Sequence, residues 1–138
     1  MMAKSVPAAD LQRIIEQGDA ETLVNTAQRF GTELSKEDQL SKSQIRNIFG
    51  EVRQIEADWQ SAESEQATAN MRRLLLLKPR MAYQRAREKR TESLMTLLTE
   101  AINLVAKSHE PQVQYLRFRY FVEFFEAILA YHTAAGGK

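Results

Sequence analysis

The sequence predicts an all-α protein: a compact bundle of five to six helices forming a single domain over residues 1–138. Three observations carry that expectation. Only five Gly and three Pro occur in 138 residues, too little punctuation for a strand-and-turn protein. Apolar side chains recur at three- and four-residue spacings through most of the chain. Hydrophobic residues make up 43% and charged residues 27%, so the chain should fold, and its length suits one core rather than two.

Residues 1–9 are expected to be flexible. From Asp10 to Gln17, Leu11, Ile14 and Ile15 mark a short first helix that stops at Gly18, where a left-handed cap is easy. Asp19 can cap a second helix with the stripe Leu23, Ala27, Phe30 and Leu34; Gly31 weakens it and the polar stretch 35–39 ends it. Ser41 followed by Gln44 reads as a capping box, opening a third helix with Ile45, Ile48, Phe49, Val52, Ile55 and Trp59 on one side. Residues 61–69 are polar and alanine-rich and leave the next boundary open. From about Gln66 the pattern is helical again, and Leu74 to Leu77 must point all around this fourth helix, which predicts burial on most sides. Pro79 removes a backbone donor and disfavours helical geometry at Lys78, predicting a break or kink before a helical stretch that reaches about Lys89. Thr91 can cap a fifth helix bearing Leu94, Leu97, Leu98, Ala101, Leu104 and Val105, closed by Pro111. The last helix runs from about Gln112 to Ala134, and residues 134–138, with Gly136 and Gly137, are expected to form a flexible tail.

Composition excludes several functions. The absence of cysteine removes disulfides, thiolate metal sites and cysteine nucleophiles, and suits a reducing compartment. No apolar run approaches the length of a membrane span or a signal peptide, so a cytoplasmic protein without membrane contact is expected. His109 and His132 are the only histidines, no serine sits in a nucleophile context, and Glu123 with Glu126 lacks a matching metal-binding helix. The expectation is therefore no catalytic residue, no metal, no cofactor and no small-molecule substrate. His132 falls on the apolar face of the last helix and reads as a packed or capping side chain.

Charge is unevenly spread. Residues 1–70 carry 7 basic and 12 acidic side chains and residues 71–138 carry 12 and 6, so halves of −5 and +6 hide behind a net charge of +1. The densest run is Arg72, Arg73, Lys78, Arg80, Arg85, Arg87, Lys89 and Arg90, eight cations against the single acid Glu88. On a helix, Arg80, Tyr83, Arg87 and Arg90 share one face, with an aromatic ring among guanidinium groups. Such a face can grip phosphates through planar forks and stack a base on the tyrosine, or it can be a solvated surface with local ion pairs. Lys42, Arg46 and Arg53 form a second basic wedge beside the apolar stripe of the third helix, where Glu51 or Glu56 could pair with them. On the last helix, Tyr120, Phe124 and Tyr131 beside Arg117 make a second aromatic strip, open to a reading as core or as a contact with another protein subunit. Arg119 could pair with Glu123 or reach a phosphate. Besides nucleic-acid binding, two classes stay open: a helical dimerisation or adaptor protein, and a helix-turn-helix DNA-binding regulator reading bases with Gln44, Arg46 and Asn47. The latter requires a short helix packed across the third.

Three stretches carry a resemblance: Ser43-Gln-Ile-Arg-Asn-Ile-Phe-Gly-Glu-Val52, Leu77-Lys-Pro-Arg-Met-Ala-Tyr83, and Arg119-Tyr-Phe-Val-Glu-Phe-Phe-Glu-Ala-Ile-Leu-Ala-Tyr-His132 with the terminal Gly-Gly-Lys. In series they resemble the small subunit of type III-A CRISPR effector complexes, the Csm complexes, over roughly residues 40–138. The acidic first forty residues resemble no family. The resemblance implies a helical bundle without catalytic activity. Such a subunit self-associates end to end, touches the backbone and large subunits, and lines the channel that holds guide RNA and target single-stranded RNA. It implies backbone contacts indifferent to sequence, with Lys42, Arg46, Lys78, Arg80, Arg87 and Arg119 as the matching cations.

Overall fold

The computed structural model describes residue 3 and residues 5–137. Six α-helices follow in order: α1 (Ala8–Ile15), α2 (Ala20–Lys36), α3 (Lys42–Asp58), α4 (Ser64–Arg87), α5 (Glu92–Ala106) and α6 (Pro111–Ala134). A 3₁₀ turn (Lys89–Thr91) joins α4 to α5, and there is no strand among the described residues.

The local signals act as their chemistry requires. Gly18 sits at φ +67° just beyond α1, and the Asp19 carboxylate accepts from the Thr22 backbone N–H to open α2. The Ser41–Gln44 box is fully formed at the start of α3. Thr91 stands before α5, but its hydroxyl donates back to the Glu88 carbonyl at 2.7 Å instead of capping α5. Gly136 (φ +91°) ends α6, and the Gly137 N–H returns to the His132 carbonyl at 2.9 Å, so the glycine pair closes the helix.

Two boundaries differ from expectation, at Pro111 and Pro79, and the start of α4, which the sequence leaves open, is defined. Pro111 does not end α5; it is the first residue of α6, where a missing N–H costs nothing. Helix α4 begins at Ser64, and the Gln66 side chain holds the preceding loop by accepting from the N–H groups of Gln60 and Ser61 at 2.9 and 3.1 Å. No break occurs at Pro79, and α4 runs through it. Leu75 and Leu76 are 40% and 52% exposed there, so the Leu75 carbonyl that Pro79 leaves without a partner lies on the watery side of the helix. The same exposure corrects the reading of the four leucines: only Leu74 and Leu77 are buried, because α4 lies at the outside of the bundle.

Helix α6 is the centre, packed against all five other helices. Its contact with α2 is the most extensive in the protein, and the two run parallel. Gly18 meets Tyr120, Gly31 meets Ile128 to His132, and the Ser35 hydroxyl donates to the Ala135 carbonyl. This position consumes the second aromatic strip. Phe124 is fully buried, Tyr120 lies on Gly18, and Tyr131 lies on Gly31. Arg117 donates to the Leu104 carbonyl at 2.9 Å and sits 3.9 Å from Glu16. Of the four residues expected at a protein interface, Phe124 is therefore core, while Tyr120, Tyr131 and Arg117 are half-buried against Gly18, Gly31 and the Leu104 carbonyl. His132 is fully buried, its Nε2 2.5 Å from the Leu40 carbonyl, and ties the end of α6 to the approach to α3.

Candidate nucleic-acid interface

The outer face of α4 holds Arg80, Tyr83 and Arg87, all exposed. Tyr83 is 61% exposed, and the Arg87 guanidinium lies over its ring at 5.4 Å while donating to its hydroxyl at 3.1 Å. Ring and cation are therefore held together as one platform. Arg80 meets Glu51 of α3 at 2.8 Å with its side chain 61% exposed, and such an exposed pair contributes little to stability.

Arg90 does not share this face. Glu88 is extended (φ −135°, ψ 104°), so the helical register ends at Arg87 and the 3₁₀ turn carries Arg90 to the α2–α3 connection, beside Ser35, Gln39 and Ser41. Lys78 also leaves it, its ammonium donating to Asn103 on the α5 side at 2.6 Å. The Lys-Pro-Arg element is thus split across its helix by the 100° turn between successive residues.

The fold does bring α3 alongside α4, but turned so that Gln44, Asn47 and Glu51 face α4. Arg53 sits around toward α6, where it meets Glu126, and the helical period puts Lys42 and Arg46 on the same side of α3. Arg53 lies over the Phe49 ring at 5.1 Å and bonds Glu56 at 2.8 Å and Glu126 at 3.2 Å; its hydrogen bond to Glu56 raises its pKa above the ordinary arginine value. Arg119 approaches Glu56 at 3.7 Å, not Glu123. Arg46 and Lys42 have no ion-pair partner among the described residues. The cations therefore form two surfaces: a platform on α4 and a patch on α3 and α6 in which Arg53 and Arg119 are already engaged.

Between α3 and α4 lies a groove of about 330 Å³ with Gln44, Asn47, Glu51, Arg80 and Gln84 on its walls. Ile48 and Met81, both buried, line its apolar part. The Asn47 and Gln84 side-chain amides have no hydrogen-bond partner among the described residues, while the Gln44 oxygen accepts from Ser41. Asn47 entered the sequence reading only as a reader of duplex DNA and Gln84 not at all. An amide on one helix signals nothing until a second helix faces it. The helix-turn-helix reading fails on the same geometry, because α2 packs on α6 and the Gln44 side-chain oxygen is committed to the cap.

Among the described residues no three His, Asp or Glu side chains gather to hold a metal ion, and no helix is long and apolar enough to cross a membrane. Residues 17–138 match the family model described as Csm2 Type III-A. The match thus reaches back to include all of α2. No curated protein and no solved structure matches the chain.

Proposed function

The chain belongs to the Csm2 Type III-A family, the small subunits of type III-A CRISPR Csm complexes, and from that premise we propose that it is a non-catalytic RNA-binding subunit. In this reading it lines the guide and target RNA channel and contacts sugar and phosphate without regard to sequence. The observation that carries it is the α4 platform, where Arg80, Tyr83 and Arg87 stand exposed together and the Arg87 cation is fixed on the Tyr83 ring. Lys78 and Arg90 lie off the platform, toward Asn103 and toward the α2–α3 connection, while Arg46 and Lys42 offer a second, separate surface on α3. Arg53 and Arg119 join only by giving up Glu56. Family membership supports contacts with the other subunits of the complex, whereas the opposite charges of the two halves of the chain do not form two poles, because the fold pairs them across helices, as in Arg80–Glu51, Arg73–Asp58 and Arg119–Glu56. A cytoplasmic location follows from the same reading.

The test is fluorescence anisotropy of a labelled single-stranded RNA titrated at several salt concentrations. Affinity should fall steeply with salt, and the double variant Arg80→Ala/Arg87→Ala should flatten the slope by about 1.4, the share of two phosphate contacts on a single strand. Absence of binding at low salt, an unchanged slope in the variant, or selectivity for one duplex sequence would each refute the proposal.

A further inference from the structure

The groove between α3 and α4 has properties that phosphate binding does not require. Its volume of about 330 Å³ lies at the lower end of the range for small-ligand sites, roughly 300–1,000 Å³. A phosphate-binding surface needs cations on an open face. This groove instead sets polar walls over a floor in which only Ile48 (9% exposed) keeps some open apolar surface, above the closed side chains of Met81 (1%) and Met95 (2%). Two amides, Asn47 from α3 and Gln84 from α4, line it with no protein partner. The Gln44 amide nitrogen is also uncommitted, since only its oxygen serves the α3 cap. Glu51 and Arg80 span the groove at 2.8 Å, one an acceptor and the other a donor with most of its fork unused.

A flat ligand with apolar faces and an edge that mixes donors and acceptors suits this arrangement. Phosphate alone does not, because the Glu51 carboxylate would repel it from within. A lipid tail or an apolar peptide side chain would leave both amides without partners, at a cost of about a desolvated polar group each. Nucleobases have the required form, and the geometry of the walls explains how a groove could accept any of them. An amide offers either a donor or an acceptor by rotating about its last bond, so Asn47 and Gln84 can each answer adenine, guanine, cytosine or uracil.

We propose that this groove receives one unstacked nucleobase of the bound single strand, its edge on Asn47 and Gln84 and its face over the open part of Ile48. Arg80, on the rim, and the Arg87–Tyr83 pair one turn further along α4 hold the adjoining ribose and phosphate. The inference rests on the RNA-binding reading above and adds to it a contact with the edge of the base, where that reading has only the strand's backbone and an exposed ring.

Two RNAs distinguish the two ideas: a short single-stranded oligoribonucleotide, and a ribose–phosphate oligomer of the same length without bases. Each is titrated into the full chain and into the variant Asn47→Ala/Gln84→Ala. Both substitutions lie outside the buried core, and circular dichroism checks the fold. The expected result is a loss of about tenfold in affinity for the base-bearing strand and no change for the baseless one, the size of a single base contact. If the variant binds the base-bearing strand as well as the parent does, the groove takes no base and the inference is overturned while RNA binding stands. If both strands weaken equally, the amides contact backbone and the inference is again overturned. If the parent binds neither strand at low salt, the RNA-binding reading itself falls and takes the groove with it.

Discussion

Replacing Gly31 with alanine sets two effects of opposite sign against each other. In an isolated helix the change favours folding by about 1 kcal/mol, because glycine loses more backbone freedom. In the protein, a Cβ at this position would stand 2.6 Å from the Ile128 carbonyl oxygen and 3.0 Å from the His132 backbone nitrogen, well inside the 3.4 Å at which ordinary contact begins. Both neighbours are backbone of the central helix, so neither can rotate away, and α2 must back off from α6. Overpacking of this kind costs about 1–3 kcal/mol, occasionally more, and this is the most extensive helix pair in the fold. Because both obstacles are backbone, the cost belongs in the upper part of that range, about 2–3 kcal/mol, so the clash should win and leave Gly31→Ala about 1–2 kcal/mol less stable, a drop of roughly 3–8 °C in Tm for a chain of this size. Gly50 supplies the control: it lies inside α3 with nothing within 4 Å of the added methyl, so Gly50→Ala should gain about 0.5–1 kcal/mol. Urea and thermal unfolding followed by circular dichroism at the helical band measure both. A Gly31→Ala protein as stable as the parent or more so would refute the close approach of α2 and α6.

Three further outcomes follow from the same geometry. Burial raises the pKa of Asp38 above the ordinary carboxylate value, against the hydrogen bond it accepts from the Ala3 N–H. The folded state therefore holds that proton more tightly than the unfolded chain, and this contribution is lost as pH rises through the folded pKa. Asp38→Asn should gain on the parent in Tm as pH rises above the ordinary carboxylate value of 3.8 toward neutrality, and the opposite trend would overturn the argument. His132→Phe keeps an aromatic ring in the core but leaves the Leu40 carbonyl unpaired, so urea unfolding should show a loss of about 1–3 kcal/mol. On the α3 surface, Arg46 has no ion-pair partner and Arg53 has two, so in RNA titrations Arg46→Ala should weaken binding several-fold and Arg53→Ala distinctly less.

Local chemistry was readable wherever it acts over a few residues. Helical periodicity, the Asp19 cap, the Ser41–Gln44 box and the left-handed Gly18 all depend on neighbours within a turn or so, and all appear as read. Proline was harder, because its effect depends on what surrounds it. Pro111 starts a helix instead of ending one, and Pro79 is tolerated because its side of α4 faces water. The outward-facing arginines were legible as a group, since charge is a property of composition. Their division was not: Arg90 leaves the stripe at the extended Glu88, and Lys78 turns toward Asn103.

The sequence by itself determined that this chain is helical and basic in its second half, and it carried the motifs of its family, because periodicity, charge and motif are written along one dimension. Only the tertiary structure decided which cations share a surface, which aromatic strip is core, and that Asn47 faces Gln84 across a groove. Each of those depends on how one helix is rotated about its own axis against another. That rotation is set by the packing of the whole core around α6, including the absence of a side chain at Gly31, and by no single stretch of residues.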